Sequence, residues 1–122
     1  MDGVWQVAQL EVSDAVIRGT FIILWEFHVL ADAEPAFMEK YGPDGDWARL
    51  FRKSAGFLGT DLLRDEWDKR RFVTQDCWAS ASAYEEFQWR HQAEYEALDR
   101  ACAALLASQQ RLGVFTGVSS RR

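Results

Sequence analysis

Apolar residues fall along the chain in blocks whose period changes, and each block predicts an element. The run T-F-I-I-L-W-E-F-H-V-L from Thr20 to Leu30 is rich in aromatic and β-branched residues and predicts a strand. Its odd positions, Phe21, Ile23, Trp25, Phe27 and Val29, form an unbroken apolar face, while Ile22, Leu24, Glu26, His28 and Leu30 form the other. Both faces therefore read as largely buried. Asp32 is placed to cap a helix whose first turn accepts Pro35, because amides there lack intrahelical partners, and Phe37, Met38 and Tyr41 line its inner side. The stretch Y-G-P-D-G-D-W at 41–47 must interrupt that helix, since Pro43 disfavours a helical Gly42 and breaks the hydrogen-bond ladder. A second helical piece starts near Asp44, carries Trp47, Leu50 and Phe51, and ends at Gly56.

Residues 57–66 and 70–79 predict a hairpin joined through the polar turn Trp67-Asp68-Lys69. Ser82 and Glu85 fit a capping box, and the helix that follows places Tyr84, Phe87, His91, Tyr95, Leu98, Cys102 and Leu105 on one continuous inner stripe. R-L-G-V-F-T-G at 111–117 predicts the closing strand. Residues 1–18 read as an N-terminal arm, 19–118 as the domain and 119–122 as a tail.

This order, βαββαβ, predicts an α+β protomer of ferredoxin-like type, a four-stranded antiparallel sheet with helices on one face. The opposite face would leave the apolar residues of the first strand wet, in a patch beyond what monomers usually tolerate. The expected cover is the same sheet of a second copy, hence a homodimer with an isologous interface.

Composition narrows the function classes. The chain has 122 residues, enough for one core, with 48% hydrophobic and 27% charged residues, which excludes a disordered or low-complexity chain. A net charge of -5 opposes a phosphate backbone, and only Arg70-Arg71 and Arg121-Arg122 cluster, so nucleic acid is not an expected partner. No window is long and apolar enough for a membrane span and the first residues do not read as a signal peptide, so the expected location is cytoplasmic. Cys77 and Cys102 read as reduced, packed thiols. Asp44 and Asp46 lack the further oxygen ligands of a calcium or magnesium site, so no metal is expected there.

Y-G-P-D-G-D-W-A-R-L-F at 41–51, G-F-L-G-T-D-L-L at 56–63 and D-C-W-A-S at 76–80, followed by an aromatic helix, resemble the antibiotic biosynthesis monooxygenase family from about Thr20 to Phe115. That resemblance implies two ferredoxin-like protomers pairing their sheets into a dimeric α+β barrel. It also implies, among several chemistries in the family, a quinone-forming oxygenase that uses molecular oxygen without metal or flavin. The haem-degrading relatives carry an asparagine on the first strand and a tryptophan and histidine on the last long helix. Here the asparagine would fall near Glu26, the tryptophan near Phe87, and the histidine beyond His91, so haem degradation is disfavoured.

Candidate chemistry concentrates on few residues. His91, between Phe87 and Tyr95 on the stripe, suits a base near neutral pH or a hydrogen-bonded core position. Tyr95 could orient a substrate oxygen. Asp76 shares a strand face with Trp78 and could tune a proton transfer or bond a backbone amide. Trp25, Trp47, Phe51, Trp78 and Phe87 suit either a packed core or the walls of a pocket for a flat ligand. His28 and Glu26, two apart on one strand face, suit a polar contact across a dimer interface. Gly42 and Gly45 suit a tight turn or the hinges of a lid. The expected function is a cofactor-independent monooxygenase acting on a small aromatic. The alternative is a non-catalytic dimeric module that binds a small hydrophobic ligand or serves as an accessory subunit.

Overall fold

A computed structural model describes residues 18–120. The predicted arm falls almost wholly outside the described residues. The elements are β1 (Phe21–Val29), α1 (Glu34–Tyr41), α2 (Asp46–Phe51), β2 (Phe57–Arg64), β3 (Arg71–Trp78), α3 (Ala81–Arg90), α4 (Gln92–Ala103) and β4 (Leu106–Thr116). All strand pairs are antiparallel, in the order β2-β3-β1-β4, which is the ferredoxin-like sheet expected from the element order.

The odd residues of β1 face the helices. Ile23, Phe27 and Val29 are buried there, and Phe27 packs with Phe37 and Tyr41 of α1. Phe72, Thr74, Asp76 and Trp78 of β3 stand opposite Phe27, Trp25, Ile23 and Phe21, so the same face continues across the central pair. The even residues of β1 lie on the uncovered face, level with Arg71, Val73, Gln75 and Cys77. There Ile22, Leu24 and Val73 are half-buried, and Leu63 and Phe115 are 52% and 50% exposed.

Several local expectations are corrected. The cap of α1 is Ala33, not Asp32; Asp32 sits instead in the left-handed region at φ 69°, turning the chain into a helix that Pro35 opens. Met38 is 43% exposed, because Phe37 and Tyr41 alone fill the inner side of this short helix. The second helix begins at Asp46 and ends at Phe51, five residues before Gly56. Gly45 precedes it where a Cβ would stand 2.6 Å from the Glu39 carbonyl oxygen and 2.8 Å from that of Lys40, so only glycine permits this close turn. Lys40 and Arg49 both bind the Asp46 carboxylate, and Arg52 donates to the Pro43 carbonyl, so the break is a tied corner and not a free hinge.

The later helix is capped by Ser80, whose Oγ accepts from the Ala83 amide, and not by Ser82. It is also not continuous: His91, at φ -120° and ψ 26°, separates α3 from α4. The closing strand starts at Leu106, five residues before the expected position. Its opening Ala-Ser-Gln-Gln has little strand preference, but an edge strand needs only one partner, and β1 supplies it.

Candidate active site

Two irregularities in the edge strands shape the helix-facing side of the sheet. In β2 a bulge at Leu58 lets Gly59 adopt φ 148°, a conformation reserved for glycine, and sets Thr60 opposite Asp76 and Leu62 opposite Thr74. In β4 the register slips at Leu112, which brings Arg111 opposite Trp25. The Arg111 guanidinium lies over the Trp25 ring, 5.4 Å from its centroid.

Between this surface and the helices lies a cavity of about 120 Å3. Its buried walls are Phe27, Tyr41, Trp47, Phe51, Thr74 and Asp76; Trp25, Thr60, Tyr95 and Asp99 are half-buried and Gln109 is exposed. The volume is of the order of the ~150 Å3 apolar cavities that take up a single benzene ring. Trp47 meets Tyr95 edge-on at 5.0 Å and Phe51 at 5.7 Å, which holds the walls in place.

Asp76 is the one buried carboxylate of this lining, only 7% exposed. Its Oδ1 accepts a 2.6 Å hydrogen bond from the Thr60 hydroxyl. Burial raises its pKa to about 6, with the Thr60 hydrogen bond acting in the opposite direction. Its partner is thus a cross-strand side chain and not a backbone amide. Burial also raises the Tyr95 phenol to about 12, with the neighbouring acidic groups of Tyr84, Asp99 and Asp76 adding to the effect and Arg111 opposing it. The Tyr41 phenol is pushed well above its usual range, first by burial and then by Cys102. The buried indole Nε1 of Trp47 has no hydrogen-bond partner of good geometry among the described residues, although it lies close enough to Tyr41 and Cys102 to act on both.

Of the residues singled out from sequence, the structure brings Trp25, Trp47, Phe51, Asp76 and Tyr95 to this cavity. Trp78 and Phe87 lie elsewhere, fully buried in an aromatic cluster with Phe51, Phe57 and Tyr84. His91 stands outside the cavity as well. Its Nδ1 is 2.9 Å from Glu94 Oε1, and Glu94 also pairs with Lys53. The ring borders a separate groove with Lys53, Gly56, Ala83 and Arg90. His28 is 3.6 Å from Glu26, which binds Arg71 at 2.6 Å, on the uncovered face of the sheet.

Thr60, Thr74, Tyr41, Asp99 and Gln109 are cavity residues that the sequence reading did not select. Asp99 carried a signal, since it lies one helical turn after Tyr95 and shares its face. The lining holds no histidine or thiol to ligate a metal or a haem iron, and among the described residues no three His, Cys, Asp or Glu side chains cluster as metal ligands. No described helix is long and apolar enough to cross a membrane.

This architecture recurs in solved structures. A point variant of SnoaB, a cofactor-independent oxygenase from Streptomyces nogalater, superposes with a TM-score of 0.64 at 21% identity, covering 84% of this chain and 96% of that one. A protein of Nitrosomonas europaea provisionally named an antibiotic biosynthesis monooxygenase gives 0.64 at 16% identity, over 82% and 91% of the two chains. Its counterpart from Bordetella bronchiseptica gives 0.64 at 16%, over 83% and 99%. No protein-family model matches the sequence, and no curated protein is significantly similar to it. The chain therefore has the fold of the antibiotic biosynthesis monooxygenases, and identities this low carry the fold without the reaction.

Proposed function

We propose that the protein is a monooxygenase that oxidises a small hydroxylated aromatic with O2 and no added cofactor, and that Asp76 is its base. One observation carries the reading: a buried carboxylate, held by a single hydroxyl and poised near neutrality, faces an aromatic-walled cavity the size of one ring. The fold shared with a cofactor-independent oxygenase supports it.

The chemistry asks little more of the protein. Asp76 takes a proton from the bound phenol or from an activated ring CH2, and the electron-rich anion reduces O2. Recombination forms a carbon-bound peroxide, which loses water to leave a carbonyl. One oxygen atom thus ends in the quinone-type product and the other in water, while the substrate gives up two hydrogens. Trp25, Trp47 and Phe51 hold the ring flat, and the Tyr95 hydroxyl orients a substrate oxygen. Trp78 and Phe87 support this site through packing, and His91 through its hydrogen bond to Glu94, rather than by contact. We further infer that the working unit is a homodimer, joined through the uncovered sheet face.

The experiment is aerobic and anaerobic incubation with single-ring phenols and hydroquinones, with hydroxylated naphthalenes as the larger comparison, following quinone absorbance in the wild type and Asp76→Asn. Oxygen-dependent product that the variant loses is expected. Binding without conversion of any of these compounds would replace this reading with that of a ligand-binding module.

A further inference from the structure

The cavity has a charge signature as well as a shape. Among the described residues its lining carries two carboxylates, the buried Asp76 and the half-buried Asp99, and no lysine, arginine or histidine. Asp99 is half-buried on α4 and makes no hydrogen bond or ion pair with the described residues. It acts on the phenols of both Tyr41 and Tyr95, so its charge is felt on two walls of the cavity. At Tyr95 the two acids reinforce one another, and Arg111, the cation that acts there, is the smallest contributor. Arg111 itself is exposed on β4 and held against the Trp25 ring, outside the lining.

An anion entering such a space meets two carboxylates and, among the described residues, one nearby cation, Arg111, which is exposed and held against the Trp25 ring, so the balance of charge opposes it. A cation meets the reverse: the half-buried Asp99 carboxylate, without an ion-pair partner among the described residues, and the aromatic rings of Trp47 and Tyr95. Cation–π attraction and an ion pair then act on the same group. The buried Asp76 stays available for the ring hydroxyl.

We propose that the cavity recognises cationic phenols, hydroxylated rings that bear a protonated amine arm, with Asp99 as the counter-ion that sets this preference. The proposal rests on the reading of Asp76 as the group that faces the ring hydroxyl.

Three probes of closely similar size separate charge from shape: tyramine, para-ethylphenol and para-hydroxyphenylacetate. Calorimetric titration under nitrogen reads binding alone. Tyramine is expected to bind about tenfold more tightly than para-ethylphenol, and the carboxylate more weakly than either. In Asp99→Asn the tyramine advantage is expected to fall toward one. In the wild type, raised salt should weaken tyramine and leave para-ethylphenol unaffected, a readout that does not depend on any variant folding. Equal affinities, a preference for the carboxylate, no binding of any probe, or a tyramine advantage that persists in Asp99→Asn would overturn the proposal. Oxygen consumption is then measured separately. A tyramine preference without turnover keeps this inference and removes the oxygenase reading, whereas turnover of para-ethylphenol without an amine preference does the opposite.

Discussion

Thr60 donates its hydroxyl hydrogen to Asp76 across the β2–β3 pair, at 2.6 Å, and this is the one side-chain hydrogen bond that reaches the buried carboxylate among the described residues. Two opposed influences therefore set the Asp76 proton. Burial favours the neutral acid and dominates, while the Thr60 hydroxyl favours the carboxylate.

The base must be ionised to work, so kcat/KM is expected to rise with pH and level off above an inflection near 6. Removing the donor by Thr60→Val should move that inflection upward by about one unit without abolishing the rate at high pH. Asp76→Asn should lower kcat/KM about a hundredfold or more at every pH. A pH–rate profile of the three proteins checks this, and an inflection unmoved in Thr60→Val would detach it from Asp76.

The same group makes stability depend on pH in a defined direction. A carboxyl whose pKa is higher in the folded chain than in the unfolded one binds its proton more tightly when folded. Its contribution is complete below the ordinary value of 3.8 and is lost as the pH rises through about 6. Above that, keeping the charge buried costs on the order of 3 kcal/mol. Asp76→Asn keeps the shape and removes the charge, so urea denaturation should find it more stable than the wild type at neutral pH, with the gap closing on acidification. A wild type whose stability climbs between acid and neutral pH would contradict this, once the remaining carboxylates are accounted for by the variant.

His91 and Trp78 invite the opposite comparison. His91 bonds Glu94 at a helix junction beside a groove, so His91→Ala should leave turnover of a confirmed substrate near the wild-type value and cost no more than about 1 kcal/mol of stability. Trp78 is completely buried, and Trp78→Ala should cost about 3 to 5 kcal/mol with no specific change in the pH profile of whatever folds. Melting temperatures beside specific activities distinguish the two cases, and a large activity loss in a fully stable His91→Ala protein would return the histidine to the chemistry.

What the sequence revealed follows from how local each signal is. β1 and the β2–β3 hairpin announce themselves through β-branched and aromatic runs, and Pro35 marks the start of α1, because these preferences act over a few residues. The convergence of Trp25, Trp47, Phe51, Asp76 and Tyr95 was also within reach, as each lies on the apolar face of its own element. Thr60 was not, since its place opposite Asp76 depends on the register slip at Leu58; Gly59 hinted at a bulge without saying which residue would be extruded. His91 misleads for a related reason. Its spacing suits the inner stripe of a continuous helix, but the chain leaves helical geometry at that residue and the ring turns to Glu94. The spacing of Trp78 gives its sheet face and not its row, and the row decides between a wall and the packed centre.

The uncovered sheet face supplies the last prediction. Ile22, Leu24 and Val73 lie half-buried on it, flanked by Leu63 and Phe115, each about half exposed, so each of the four strands contributes apolar surface to this face. Part of the polar rim beside it is already matched: Arg71 bridges Glu26 and Asp65 at 2.6 and 2.7 Å, so these three charges stay paired when a second sheet covers them. A two-fold partner meets this face with its own copy, and each substitution is then felt twice. Sedimentation at micromolar concentration is expected to give twice the mass of the chain, and Leu24→Glu, which places two like charges near the axis of such an interface, should shift the protein to single copies. A wild type that sediments as a well-folded monomer would remove the dimer, while leaving the cavity and the role of Asp76 to stand on their own residues.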